Sequence, residues 1–140
     1  MSSQQPYQFR HVGVAVRDID TAAEQFAALF GAVPDSEVVY DPRQQVRLRL
    51  IKMGNLRIEL IEPAAETSPL DSIIKRGIAI YHVCYEVSDL DAELSLLQAS
   101  GVKVVSPPNP AAAFGDRRVA FVMCQGLMIE LLESKRDDAS

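Results

Sequence analysis

His11-Val-Gly-Val-Ala-Val-Arg-Asp-Ile-Asp20 and His82-Val-Cys-Tyr-Glu-Val-Ser-Asp-Leu-Asp91 are two versions of one segment, 71 residues apart. Two further segments repeat at the same step of 71: Ile58-Glu-Leu-Ile-Glu62 with Ile129-Glu-Leu-Leu-Glu133, and Arg47-Leu-Arg-Leu-Ile51 with Arg118-Val-Ala-Phe-Val122. Three segments in one register identify a duplicated module, since the period is too long for a solenoid repeat. Each copy opens with period-2 alternation, the mark of a half-buried strand. Val12, Val14 and Val16 take one face, and His11, Gly13 and Ala15 the other. In the second copy, Val83, Tyr85 and Val87 stand against His82, Cys84 and Glu86.

A helix follows each opening strand. In the first copy Asp18 or Asp20 can cap it, with Ala22, Phe26, Leu29 and Phe30 as the apolar stripe and Gly31 as the stop. In the second copy Ser88 or Asp89 can cap it, Leu90, Leu94 and Leu97 form the stripe, and Gly101 ends it. Three strands come after each helix, the last two as hairpins. Gly54-Asn55 turns between Val46–Lys52 and Leu56–Glu62, and Gln125-Gly126 between Val119–Met123 and Leu127–Leu132. Residues 68–76 read as a short linking helix, and 106–116 as a long Pro-rich loop that serves as a lid or a connector. The tail from Ser134 is expected to fray. The expected fold is α+β: two βαβββ modules, about 8–63 and 79–133, forming a cupped mixed sheet around a metal site within a single domain of 140 residues.

The metal follows from the repeat. The chain has only two histidines, both at the start of a module, and each is followed 48 residues later by a glutamate inside an apolar strand: His11 by Glu59, His82 by Glu130. A carboxylate in such surroundings needs a partner for its charge. One divalent cation supplies it, with imidazole nitrogens as neutral ligands. Donors of nitrogen and carboxylate type without thiolate suit Co, Ni, Mn, Zn or Fe. Two modules related by a pseudo-twofold would bring His11, Glu59, His82 and Glu130 to one point, leaving positions open for water or substrate. Cys84 shares the strand face of His82 and reads as a small core-lining residue rather than a fifth ligand.

Composition narrows the partners. A net charge of −5, few aromatics and no Trp argue against nucleic acid. The apolar runs are too short to span a membrane, the first residues lack a signal pattern, and Cys84 and Cys124 fit reduced thiols, so a cytoplasmic protein is expected. From Pro42 to Ile58 there are five basic residues and no acidic one before the strand end: Arg43, Arg47, Arg49, Lys52 and Arg57. Arg47 and Arg49 share a strand face. The run reads either as a cradle for an anionic small-molecule substrate or as a charged, guarded sheet edge. Glu86 is a candidate acid or base on the His82 face. Tyr40, Asp41, Tyr81 and Asp116 are placed near the same region and read individually as surface residues.

These residues resemble the vicinal oxygen chelate superfamily, which includes glyoxalase I, bleomycin-resistance proteins, extradiol dioxygenases and methylmalonyl-CoA epimerase. The resemblance covers roughly Phe9 to Glu133. It is nearest to the epimerase-like members in Ile58-Glu-Leu-Ile-Glu-Pro63, Ser68-Pro-Leu, Lys75-Arg-Gly77, His82-Val-Cys-Tyr-Glu-Val87 and Arg117-Arg-Val-Ala-Phe121. It implies a metal at His11, Glu59, His82 and Glu130, a homodimer, and an isomerase or epimerase acting next to a carbonyl, on an acyl-CoA or related thioester. The alternatives it leaves are a glyoxalase-type lyase or resistance-type thiol transferase, and a small-molecule binding protein. The glyoxalase likeness points to Glu59 or Glu130 as the base. The epimerase pattern carries an acid/base Glu in a Pro-Glu-His-Gly-Val-like segment. This chain has Pro42-Arg-Gln-Gln-Val46 there, and Arg43 cannot take a proton. It also has Tyr81-His82 in place of two adjacent histidines. Arg43, Arg47, Arg49 and Tyr81 are the residues expected to meet the substrate.

Overall fold

The computed structural model describes residues 5–135. The chain divides into two compact units, one formed by His11–His82 and the other by Val83 onward together with the segment up to Arg10.

The first unit follows the order read from the sequence. Strand β1 (Gln8–Ala15) leads into helix α1 (Ile19–Phe30), then β2 (Val33–Pro34), β3 (Val39–Asp41), β4 (Val46–Met53) and β5 (Leu56–Pro63), and finally helix α2 (Pro69–Lys75). The strand order is β2-β4-β5-β1, with β3 also on β4. β1 and β5 run parallel, and β4 and β5 form an antiparallel hairpin. The expected three strands after the helix become four, because the edge pairs in two short pieces.

Asp18 caps α1 by accepting the Thr21 N–H at 3.0 Å. Glu62 Oε1 accepts the Ile19 N–H at 2.8 Å, so a strand carboxylate sits at the positive end of the helix. Gly31 ends α1 in the left-handed conformation at φ 72°. Ile19 packs with Ala22, Ala23 and Phe26 over Ile51, Ile58 and Leu60. The apolar stripe is shorter than expected: Leu29 and Phe30 are 71% and 63% exposed. Leu29 is in the last turn, past the residues that pack on Ile51, Ile58 and Leu60. Phe30 lies beyond the packed stretch, its ring centroid 6.4 Å from that of Phe26. Ser68 caps α2 through the Leu70 N–H.

In the second unit, β6 (Ile80–Val87) leads into α3 (Leu90–Ala99), β7 (Lys103–Pro110), a 3-10 turn at Ala112–Phe114, β8 (Arg118–Cys124) and β9 (Leu127–Glu133). The order is β6-β9-β8-β7, with β6 and β9 parallel and the other pairs antiparallel. Asp89 is the cap of α3, accepting the Ala92 N–H at 3.0 Å. Leu90 and Leu94 bury against Val87, Ala120, Val122 and Leu131. Gln125 and Gly126 both take positive φ, 54° and 78°, as a two-residue hairpin turn requires.

Residues 106–110 are strand rather than the expected loop. Three prolines fit there because β7 is the outer strand, where a missing N–H breaks no ladder on its open side. The pairing with β8 slips on either side of Ser106. Only 111–116 remains as connector. Ser134 does not fray: its N–H and hydroxyl both donate to the Val87 carbonyl, at 2.9 and 3.0 Å. Residues 136–140 lie outside the described residues.

A contact invisible in the pattern pins the start of the chain to α3. Glu93, 1% exposed, accepts from the Tyr7 hydroxyl and, at 3.1 Å, from the Gln5 side-chain amide. Burial, and then the bond to Glu93, raise the Tyr7 pKa well above the usual phenol value. No helix among the described residues is long and apolar enough to cross a membrane.

Candidate metal centre

Strand register decides which side chains meet. Gly13 pairs with Glu59 across β1 and β5, and Leu50 pairs with Glu59 across β4 and β5. Directly paired residues share a face. His11, Gly13 and Glu59 therefore stand on the face opposite α1, which takes Val14, Ile58 and Leu60. His82, in the opening residues of β6, completes the group.

His11 and His82 are 1% and 2% exposed, and Glu59 3%. The two imidazoles meet edge to edge, with their Nε2 atoms 3.2 Å apart and their planes at 75°. Glu59 Oε1 lies 3.5 Å from His11 Nε2 and 3.6 Å from His82 Nε2. A transition-metal ion bound at about 2.1 Å holds neighbouring donors roughly 3.0–3.4 Å apart. The three donor atoms have that spacing to within a few tenths of an ångström, and all are imidazole nitrogen or carboxylate oxygen. The group is a buried His/Glu cluster that can hold a metal ion.

Gly13 provides the room. A Cβ at this position would lie 2.3 Å from Cε1 and 2.5 Å from Nδ1 of His82. The sequence signal was the break in an otherwise β-branched alternation, Val-Gly-Val; its meaning needed the ring above it.

Glu130 holds the corresponding place in the other unit. It is buried, paired with Cys84 on β6 and with Phe121 on β8. Cys84 is fully buried beside Val119, Phe121 and Leu132, with Phe114 and Ala111 of the connector packed on them.

The other expected site residues scatter. Glu86 has guanidiniums on two sides, Arg10 Nε and Arg117 Nη1, each at 3.6 Å from Oε1. Arg47 and Arg49 project from the α1 face of β4. Arg47 bonds Glu62 at 2.9 Å, and Arg49 donates to the Ser36 carbonyl at 3.2 Å. Neither gathers with Glu59. Arg43 is exposed in the turn between β3 and β4, its N–H donating to Asp41 Oδ1 at 2.9 Å. The Tyr81 ring stands edge-on to His82, with centroids 5.0 Å apart.

Asp41 is a correction: the residue read as surface is 3% exposed. Its carboxylate organises the turn at 42–45. That turn is fastened to the approach to α2 by Ser68 Oγ on the Gln44 carbonyl, 3.1 Å, and Thr67 Oγ1 on Gln45 Oε1, 2.7 Å.

A mixed α+β architecture of two βαβββ modules, with paired histidines and glutamates at equivalent strand positions, defines a vicinal-oxygen-chelate protein. The chain belongs to the Glyoxalase/Bleomycin resistance protein/Dioxygenase superfamily, which it matches over residues 10–121. Among its relatives is the ethylmalonyl-CoA/methylmalonyl-CoA epimerase of Cereibacter sphaeroides, 32% identical over 86% of this chain and 93% of the relative. Among solved structures, methylmalonyl-CoA epimerase from Mycobacterium tuberculosis superposes with a TM-score of 0.82 at 28% identity, covering 99% of this chain and 96% of that one. A Streptomyces coelicolor methylmalonyl-CoA epimerase variant in complex with 2-nitronate-propionyl-CoA gives a TM-score of 0.79 at 25% identity, with 92% and 98% covered.

Proposed function

We propose that this chain is a metal-dependent epimerase or isomerase that labilises a hydrogen next to the carbonyl of an acyl-CoA thioester. The observation that carries this reading is the convergence of His11, Glu59 and His82 at ligand spacing. It occurs in a chain that matches 93% of the length of an ethylmalonyl-CoA/methylmalonyl-CoA epimerase. Glu130 is the fourth ligand in this proposal. It is the repeat equivalent of Glu59, is buried, and offers a carboxylate oxygen. A divalent ion held by these residues supplies Lewis acidity toward a carbonyl oxygen.

The chain's own residues do the rest. The buried site excludes water and fixes both imidazoles with Nε2 inward. Proton transfer falls to a carboxylate, because Arg43 occupies the turn position where the epimerase pattern carries its Glu. Glu86 is engaged by Arg10 and Arg117, which leaves Glu59 and Glu130 as the candidates. Arg43 and Tyr81 remain the proposed substrate contacts, the first by its exposed charge and the second by its place against His82. The family resemblance supports a homodimer. Two cysteines that read as reduced thiols support a cytoplasmic setting.

The test is proton exchange. Metal-loaded protein is incubated in D₂O with methylmalonyl-CoA and ethylmalonyl-CoA, and the α-hydrogen is followed by NMR. Exchange that disappears on chelation and in the His11→Ala, His82→Ala double variant is the expected result. Loaded protein that exchanges neither thioester would remove the epimerase reading.

A further inference from the structure

The basic run between Pro42 and Ile58 is divided by β-alternation. Lys52 and Arg57 lie directly opposite each other, one row from Leu50 and Glu59 on the same face. Arg47 and Arg49 go to the α1 face, where Glu62 neutralises Arg47. Arg49 has no carboxylate of its own. Its Nε donates to the Ser36 carbonyl at 3.2 Å, its one partner among the described residues. That bond fixes the guanidinium, and its remaining N–H groups have no protein acceptor.

Arg49 lines a cavity of about 280 Å³ between α1 and the strands β2 and β4. Asp20, Ala23, Glu24 and Ala27 wall it from the helix, and Val33, Pro34 and Ile51 join Arg49 from the other side. At about 30 Å³ per water the space equals roughly nine water molecules, so a ligand of about nine heavy atoms fills it. Asp20 and Glu24 are one helical turn apart and repel each other. Neither has a cationic partner among the described residues. One cavity thus holds a guanidinium and two carboxylates that do not pair with one another. Its other end is apolar. Ala27 lies about 10 Å along the helix from Asp20, and Val33 is exposed at the rim.

We propose that this cavity binds a free α-amino acid with an apolar side chain, at a site separate from the metal centre. The ammonium group takes the place between Asp20 and Glu24 and cancels their repulsion. The carboxylate accepts the unused N–H groups of Arg49, which a planar guanidinium presents in matching geometry. The side chain covers Ala27, Val33 and Pro34, an aliphatic surface that otherwise meets water. A simple amine leaves Arg49 unmatched. A simple carboxylate leaves both acids unmatched and adds a third negative charge. The site is independent of the epimerase reading, since its polar residues lie on the α1 side of the sheet and Glu59 on the other.

The experiment is calorimetric titration of the protein in chelator-treated buffer with L-leucine, 3-methylbutylamine, 4-methylpentanoate and glycine. L-Leucine is expected to bind at least about tenfold more tightly than each of the other three, as for one lost hydrogen bond to a charged group or one lost aliphatic side chain. Its affinity should fall at least about tenfold in Arg49→Met and in the Asp20→Asn, Glu24→Gln variant, and less in Arg49→Lys. Asp20 and Glu24 are exposed helix positions, so the acid variant reads the site even where Arg49→Met does not fold. The His11→Ala, His82→Ala variant should bind L-leucine as the parent does. A parent that binds no L-leucine overturns the proposal, as does binding that survives in the acid variant. The amine binding as tightly as L-leucine overturns it by leaving Arg49 without a part. Binding lost in the histidine variant overturns it by placing the amino acid at the metal centre.

Discussion

The functional weight of this chain rests on a residue with no side chain. Gly13 lies on the strand between His11 and Ala15, and the ring of His82 occupies the space its Cβ would take. Gly13→Ala should therefore push His82 out of ligand position while leaving the strand intact. We expect metal affinity to fall at least about tenfold, in the range found when groups supporting a ligand are altered. Far-ultraviolet circular dichroism should stay close to the parent. Elemental analysis after equilibration with Co²⁺ reads the effect. A variant that retains full metal would show that the ring can shift and still ligate.

At the scale of elements, the repeat preserves devices as well as ligands. The two module helices are capped alike, by Asp18 on the Thr21 N–H and Asp89 on the Ala92 N–H. The last strand of each module carries, at or next to its end, a glutamate that pairs with an arginine on the neighbouring strand, Glu62 with Arg47 and Glu133 with Arg118. Arg118 also reaches Asp91 at 2.8 Å. Burial raises the Glu133 pKa, and the Arg118 hydrogen bonds outweigh it, so the net shift is downward. The caps are the more measurable device, because each satisfies an N–H of the first helical turn. Asp18→Ala and Asp89→Ala should each cost about 1 kcal/mol of unfolding free energy in urea. The Asp18 effect should be the smaller, since Glu62 still serves the first turn of α1. Equal losses would mean that Glu62 contributes nothing to the cap.

For the whole molecule, a bound ion that the unfolded chain cannot hold adds stability by mass action. At a free Co²⁺ concentration of about 100 times Kd the gain is about 2.7 kcal/mol. For a chain of this length that corresponds to a rise in Tm of roughly 6–10 °C. Scanning calorimetry with Co²⁺ and with a chelator should show the difference in the parent and none in the His11→Ala, His82→Ala variant. A Tm indifferent to Co²⁺ in the parent would mean that the cluster holds no ion.

How much of this could be read in advance depended on the kind of information. Periodicity and equivalence are one-dimensional, so the sequence by itself determined the two βαβββ modules and the hairpin turns, and narrowed the cap of each module helix to two residues. It also supplied the pairing of each histidine with a glutamate 48 residues on. Burial and partnership depend on which strands pair and in what register, and those only the tertiary structure decided. Register placed Arg47 and Arg49 behind the sheet and Lys52 and Arg57 beside Glu59, although all four belong to one basic run. Position at an edge turned the prolines of 106–110 from loop into strand. Packing buried Asp41 under its turn and brought Glu93 to Tyr7 across 86 residues of chain. A side chain's neighbours along the chain set its face, but only the strand that pairs beside it sets what that face meets.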